Sequence, residues 1–257
     1  MTKKFGFTLA EVLITLGIIG VVAAMTIPTL IANTNSAKFR SQFKKTLSTM
    51  NQAALMGQAQ YDMNYGEATK LCADSSVASG KTGADQDPDT DPTICAILNG
   101  TLSGKEYVAD VSTLTNTKGA YKITVADSDT GLDGAVEAVA AIGTTPAVEA
   151  RAALVSSEVP AGHAYKLADG SLFVFQAASK KCTAKAPCAG FIDVNGATLP
   201  NKEVTCDGGS AKNDTGKTTC TVPNTAANMT DVYPVKFYDS TVEPATNAAR
   251  YVLTTSK

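Results

Sequence analysis

Tryptophan is absent from this 257-residue chain, and histidine occurs once, at His163. With one imidazole and no Cys-x-x-Cys pair, the nitrogen and sulfur donors of a zinc site are not at hand. No Gly-x-Ser-x-Gly elbow and no phosphate-cradling glycine loop occurs, so the chain reads as a non-enzyme. Charged residues are scarce at 18% and aromatics make up 6%, which points to a modest core with much loop. The net charge of −2 gives no support to nucleic-acid binding. Acidic side chains are missing altogether between Glu11 and Asp62.

What is present at the amino terminus is a long apolar run. Lys3 and Lys4 precede Phe5-Gly6-Phe7-Thr8-Leu9-Ala10-Glu11, and apolar residues then dominate to Ile31. About twenty such residues suffice to cross a bilayer core as a helix. Between Val12 and Ala24 the only polar side chain is Thr15, whose hydroxyl can return to the helix backbone. Glu11 is the anomaly, because a carboxylate beside a membrane span costs several kcal/mol unless it is paired. A secretory signal would share the basic start and apolar core, and Val22-Ala23-Ala24 loosely imitates its cleavage site, but a carboxylate does not belong in such a core. A plain signal anchor would hold Lys3 and Lys4 inside by charge bias and leave Glu11 unexplained.

Gly6-Phe7-Thr8-Leu9-Ala10-Glu11, with two lysines before it and an apolar helix after it, resembles the class III signal of type IV prepilins and pseudopilins. The resemblance implies that a prepilin peptidase cuts between Gly6 and Phe7 and that Phe7 becomes N-methylated. It also implies that Glu11 pairs with the Phe7 amino group of a neighbouring subunit, in keeping with the rule that a buried carboxylate needs a cation. Gly20 and Pro28 match a glycine and a proline that, in that family, bound a segment which loosens when subunits enter the fibre. The implied fold is α+β, type IV pilin-like, with a long amino-terminal helix packed on an antiparallel sheet. Residues 1–6 would be the cleaved leader, 7–60 the long helix (7–31 for membrane and assembly, 32–60 amphipathic) and 61–257 an extracytoplasmic head.

The implied partners are copies of the same chain in a helical filament, the prepilin peptidase, the inner-membrane assembly machinery, and the membrane itself before assembly. The implied location is the inner membrane first and a cell-surface or extracellular pilus afterwards, with adhesion, motility or secretion as its uses. A pseudopilin or minor pilin of a type II secretion or competence system is the alternative. A membrane-anchored binding protein that never polymerises is the rival from another class.

Phe39, Phe43, Leu47, Met50 and Ala54 recur at steps of four, four, three and four, which puts them on one helical face. The helix is therefore expected to continue to about Tyr61, against the alternative of a break at Asn33-Thr34-Asn35-Ser36, where cap-prone residues cluster. Lys38, Arg40, Lys44 and Lys45 read as a solvated basic face or a contact with lipid headgroups.

Six cysteines, Cys72, Cys95, Cys182, Cys188, Cys206 and Cys220, all follow the apolar run. An even set outside a membrane reads as disulfides in an oxidising compartment, and six allow fifteen pairings, of which sequence neighbours are the expectation. The aspartates from Asp85 to Asp91 and the stretch Asp127–Gly131 read as solvated loops, and the alanine-rich segment 132–155 as two short helices or an excursion. Ala164–Leu167 and Ser171–Gln176 are expected to form a hairpin about Ala168-Asp169-Gly170. Further strands are expected at Phe191–Val194, Val232–Tyr238 and Arg250–Thr254. Phe191-Ile192-Asp193-Val194-Asn195-Gly196 with Leu199-Pro200-Asn201 resembles a strand and loop of pilin-like heads, some of which bind calcium nearby. Asp193, Asn195 and Asn201 are the candidate oxygen ligands, and an Asn-Gly turn is the alternative. No other cofactor is expected.

Overall fold

The computed structural model describes residues 8–74, 92–124, 162–209 and 220–255. The leader, Phe7, the aspartates from Asp85 to Asp91, the stretch Asp127–Gly131 and the segment 132–155 lie outside the described residues.

One helix, α1, runs from Leu9 to Tyr61 without a break, 53 residues and therefore ~80 Å long. Asn33-Thr34-Asn35-Ser36 does not interrupt it, since Thr34 turns its hydroxyl back to the Leu30 carbonyl at 2.8 Å instead of capping a new helix. Pro28 also lies inside it. At the far end Asp62 adopts a left-handed conformation and the chain turns away.

The short helix α2, Ile94–Thr101, is capped by the Thr93 hydroxyl on the Ala96 N–H, and it lies against α1. A Cβ at Gly57 would come within 2.8 Å of the Ile97 side chain, so only glycine permits this approach. Strands β1 (Glu106–Val108), β4 (Gly162–Lys166), β5 (Leu172–Gln176), β6 (Cys188–Asp193), β7 (Val232–Tyr238) and β8 (Thr241–Pro244) form one antiparallel sheet in the order β1-β4-β5-β6-β7-β8. A two-residue pair, β2 (Thr115–Asn116) and β3 (Gly119–Ala120), stands apart. The hairpin between β4 and β5 turns as expected through Ala168-Asp169-Gly170, with Gly170 at φ +87°.

Alternation along the strands divides the core in two. Phe173 and Phe175 of β5 face α1 together with Tyr165, Ile192, Tyr233 and Phe237, and they meet Phe43, Leu47, Met50 and Ala54 of the helix. Phe43 stacks on Tyr233 with ring centroids 4.2 Å apart. The apolar stripe of α1 thus covers one face of the sheet. Leu172 and Val174 point the other way, with Ala164, Phe191 and Val232, and are covered by Val111, Tyr121 and Ile123 from the connection after β1.

Arg250–Thr254 is not a strand. It belongs to helix α3, Asn247–Thr254, whose first turn is fixed by the Thr246 hydroxyl on the Ala249 N–H. Tyr251 and Val252 favour strands locally, but the capping threonine and the buried Ala248 and Ala249 set a helix in which Val252 reaches the core.

Of the basic residues after the apolar run, Lys38 and Lys45 are exposed, as a solvated face would be, but Arg40 and Lys44 turn into the head. Arg40 is buried and donates to the carbonyls of Val252 and Thr255 at 3.5 and 3.3 Å, to the Thr255 hydroxyl, and to Asn224 at 3.3 Å. Lys44 donates to the Thr255 carbonyl at 2.7 Å, and Lys45 pairs with Asp169 at 3.0 Å. For Arg40 and Lys44 the reason is helical: the last carbonyls at the end of α3 have no partners within their own helix and draw cationic donors.

Disulfides join Cys72 to Cys95, Cys182 to Cys188 and Cys206 to Cys220.

Candidate functional site

The exposed end of α1 is the first site. From Leu9 to Pro28 the helix is long and apolar enough to cross a membrane, and none of it is buried against the rest of the chain. Leu9 is 80% exposed, Ile14 62% and Ile19 63%. Fully covering one such side chain stabilises by about 1.5–3 kcal/mol, so the whole surface represents tens of kcal/mol that only lipid or other protein can supply. Thr15 and Thr26 return their hydroxyls to the carbonyls of Val12 and Val22, each at 3.0 Å, which keeps their polar groups off the apolar surface. Pro28 supplies no N–H to the helix ladder, and Gly17 and Gly20 present no side chain to any neighbour.

Glu11 opens this helix. Its carboxylate accepts the Thr8 N–H at 2.8 Å and the Thr8 hydroxyl at 2.9 Å, and the Glu11 N–H donates to the Thr8 oxygen at 3.3 Å. This is a capping box, in which two donors otherwise left without partners satisfy each other's residues. The Thr-x-x-Glu spacing of Thr8 and Glu11 is the sequence signal for this cap. Gly6 and Phe7, between which cleavage is expected, lie outside the described residues.

The other half of α1 is fastened to the head at three levels. The Asn51 side chain donates to the Val242 carbonyl and accepts the Val242 N–H, both at 2.8 Å, so it pairs with edge strand β8 as a strand residue would. Thr46 meets Ser171 at 3.2 Å beside the Lys45–Asp169 pair. Arg40 and Lys44 hold the end of α3.

In the head, Asp193, Asn195 and Asn201 come together with a residue the sequence did not point to, Asp231. Asp193 ends β6 and accepts the Tyr121 hydroxyl at 2.6 Å and the Asn195 N–H at 3.2 Å. Asp231 precedes β7 and accepts the N–H groups of Asn201 and Lys202, both at 2.8 Å. Burial, and then the charge of Asp231, push the Asp193 carboxyl well above the usual carboxylate range. Burial raises Asp231 as well. Among the described residues no three of histidine, cysteine, aspartate and glutamate gather in one place.

His163 is structural in its contacts. Its Nδ1 lies 2.8 Å from the Ala109 carbonyl and 2.9 Å from the Tyr107 hydroxyl, and burial lowers its pKa.

Together the fold and the exposed helix define a class: an α+β, type IV pilin-like architecture whose amino-terminal helix is apolar over a membrane length. The model of the prokaryotic N-terminal methylation motif matches residues 1–27, so the chain opens with the class III signal of type IV pilins and pseudopilins. No curated protein and no solved structure matches the chain.

Proposed function

We propose that this chain is the structural subunit of a type IV pilus-like filament. One observation carries the reading: the methylation motif leads directly into a fully exposed apolar helix whose other half is fastened to a folded head. Such a molecule is a membrane-anchored precursor with a ready packing surface. Prepilin peptidase cuts between Gly6 and Phe7 and methylates Phe7, and the inner-membrane assembly machinery then moves the subunit from lipid into the filament. The apolar surface exchanges lipid for the helices of other copies, so its burial is conserved while its neighbours change. Glu11 gives the docking charge, paired to the Phe7 amine of the next copy, and the segment from Gly20 to Pro28 loosens to fit the helical lattice.

The role is structural and not enzymatic, in line with the motif. A pseudopilin or minor pilin of a type II secretion or competence system shares every one of these features, and long, abundant fibres in electron micrographs separate the major pilin from it.

The test is the amino-terminal mass of the mature protein. A start at N-methylated Phe7 is expected. A start near Met25 would overturn the reading in favour of an ordinary secreted protein.

A further inference from the structure

Outside the apolar run, two large apolar side chains are left exposed among the described residues, Leu55 at 59% and Met56 at 43%. Met56 borders a groove with Leu102 and Leu167, so Leu55 is the one turned away from the head. Charge along the same helix is divided by end. Arg40 and Lys44 are held by the end of α3 and Lys45 by Asp169, which leaves Lys38 as the outward cation nearest the apolar run. The first carboxylate after Glu11 is Asp62, at the left-handed residue that ends the helix. Lys38 and Asp62 are both exposed, and neither forms an ion pair with another described residue.

These features share one spacing. Ile31, 54% exposed, ends the apolar run, and Lys38 follows it by seven residues, just as Asp62 follows Leu55 by seven. Seven residues make about two helical turns, so each pair lies on one face of α1. Positions 31 and 55 are 24 apart, and so are 38 and 62. At ~1.5 Å per residue, a second copy displaced by ~36 Å along its helix brings Ile31 level with Leu55 and Lys38 level with Asp62 at once. The same displacement sets Ala24 level with Ser48 and Gly17 level with Ser41. Small residues then meet small residues, which lets two helices approach closely.

We propose that a second copy of this chain docks on this face of α1, parallel and displaced by ~36 Å, with Ile31 of one copy against Leu55 of the other and Lys38 against Asp62. The contact rests on the filament reading above and adds to it a head-to-tail register. It joins two different surfaces, so it repeats from copy to copy without closing, as a fibre requires. Leu55 and Ile31 cover each other's apolar surface, and the charge pair fixes the stagger, since a shift of one turn either way separates the charges and uncovers Leu55.

The test is made on sheared filaments from cells that produce the full chain. Ile31→Cys combined with Leu55→Cys reads the register. The two positions lie ~36 Å apart within one helix, so a disulfide between them forms only between copies. Oxidation of the double variant is expected to give a ladder of covalent multimers on non-reducing gels, while each single variant stops at the dimer. Lys38→Glu and Asp62→Lys should each lower the filament yield at least about tenfold, because like charges then meet, and the two together should restore it. Both positions are exposed, so the melting temperature of each charge variant in detergent should match that of the unaltered chain. A missing ladder in filaments that do assemble, or a charge-swapped pair no better than the single variants, would overturn this contact while the unaltered filaments uphold the filament reading. Absence of filaments from the unaltered chain would overturn both.

Discussion

Glu11 has one use in the structure and a second in the proposed function, and a single substitution confounds them. Within one chain its carboxylate completes the capping box with Thr8, and in the filament it would meet the Phe7 amine of a neighbour. Glutamine separates them, because its amide oxygen still accepts the Thr8 N–H while the charge is gone. We predict that Glu11→Gln and Glu11→Val are both cut and methylated normally and that neither forms filaments, as read by mass spectrometry and electron microscopy. Normal filaments from Glu11→Gln would show that the cap, not the charge, is the requirement. Residues differ in how legible they were. Asp193, Asn195 and Asn201 could be singled out because Phe191–Gly196 with Leu199–Asn201 resembles a strand and loop of pilin-like heads. Asp231 could not, since it stands 30 residues from Asn201 and joins it only through the packing of the sheet.

The long helix was the most legible element. Its pattern ran at one period for several turns, no glycine or proline fell in its outer half before Gly57, and that face is now buried as a stripe. Shorter elements were harder. Helix α2 opens on five consecutive apolar residues, Ile94 to Leu98, and so has little periodicity to read, although Thr93 marked its start. Strand β8 ends in Pro244, which argues against a strand except at an edge, where it stands. That edge gives a test. Asn51 is the side chain that pairs with the backbone of the buried Val242, and Asn51→Ala would leave one donor and one acceptor without partners. A loss of about 1–3 kcal/mol is expected, seen as a lower urea midpoint with an unchanged slope. An unaltered midpoint would mean that water replaces the amide without cost.

At the scale of the whole molecule, the head is a sheet covered on both faces, by α1 on one and by the chain around Tyr121 on the other. The sequence showed only the first of these covers, because Val111, Tyr121 and Ile123 are isolated apolar residues in a polar stretch and become a layer only when the sheet lies beneath them. Three disulfides support this body, closing separations of 23, 6 and 14 residues. Loop-closure entropy ranks them, at about 3.5, 2 and 3 kcal/mol for Cys72–Cys95, Cys182–Cys188 and Cys206–Cys220. Paired serine substitutions should therefore destabilise most at Cys72–Cys95, less at Cys206–Cys220 and least at Cys182–Cys188 in denaturant unfolding, and equal losses would show that native strain or residual structure outweighs chain entropy.

No disulfide encloses or crosses another along the chain. A polypeptide that emerges amino terminus first presents Cys72 and Cys95 before any other thiol, then Cys182 and Cys188, then the last pair. Each bond can close while its partner is the nearest thiol available, so the order of emergence selects one pattern among fifteen. Oxidative maturation of this head then calls for an oxidant at the exit and no shuffling afterwards.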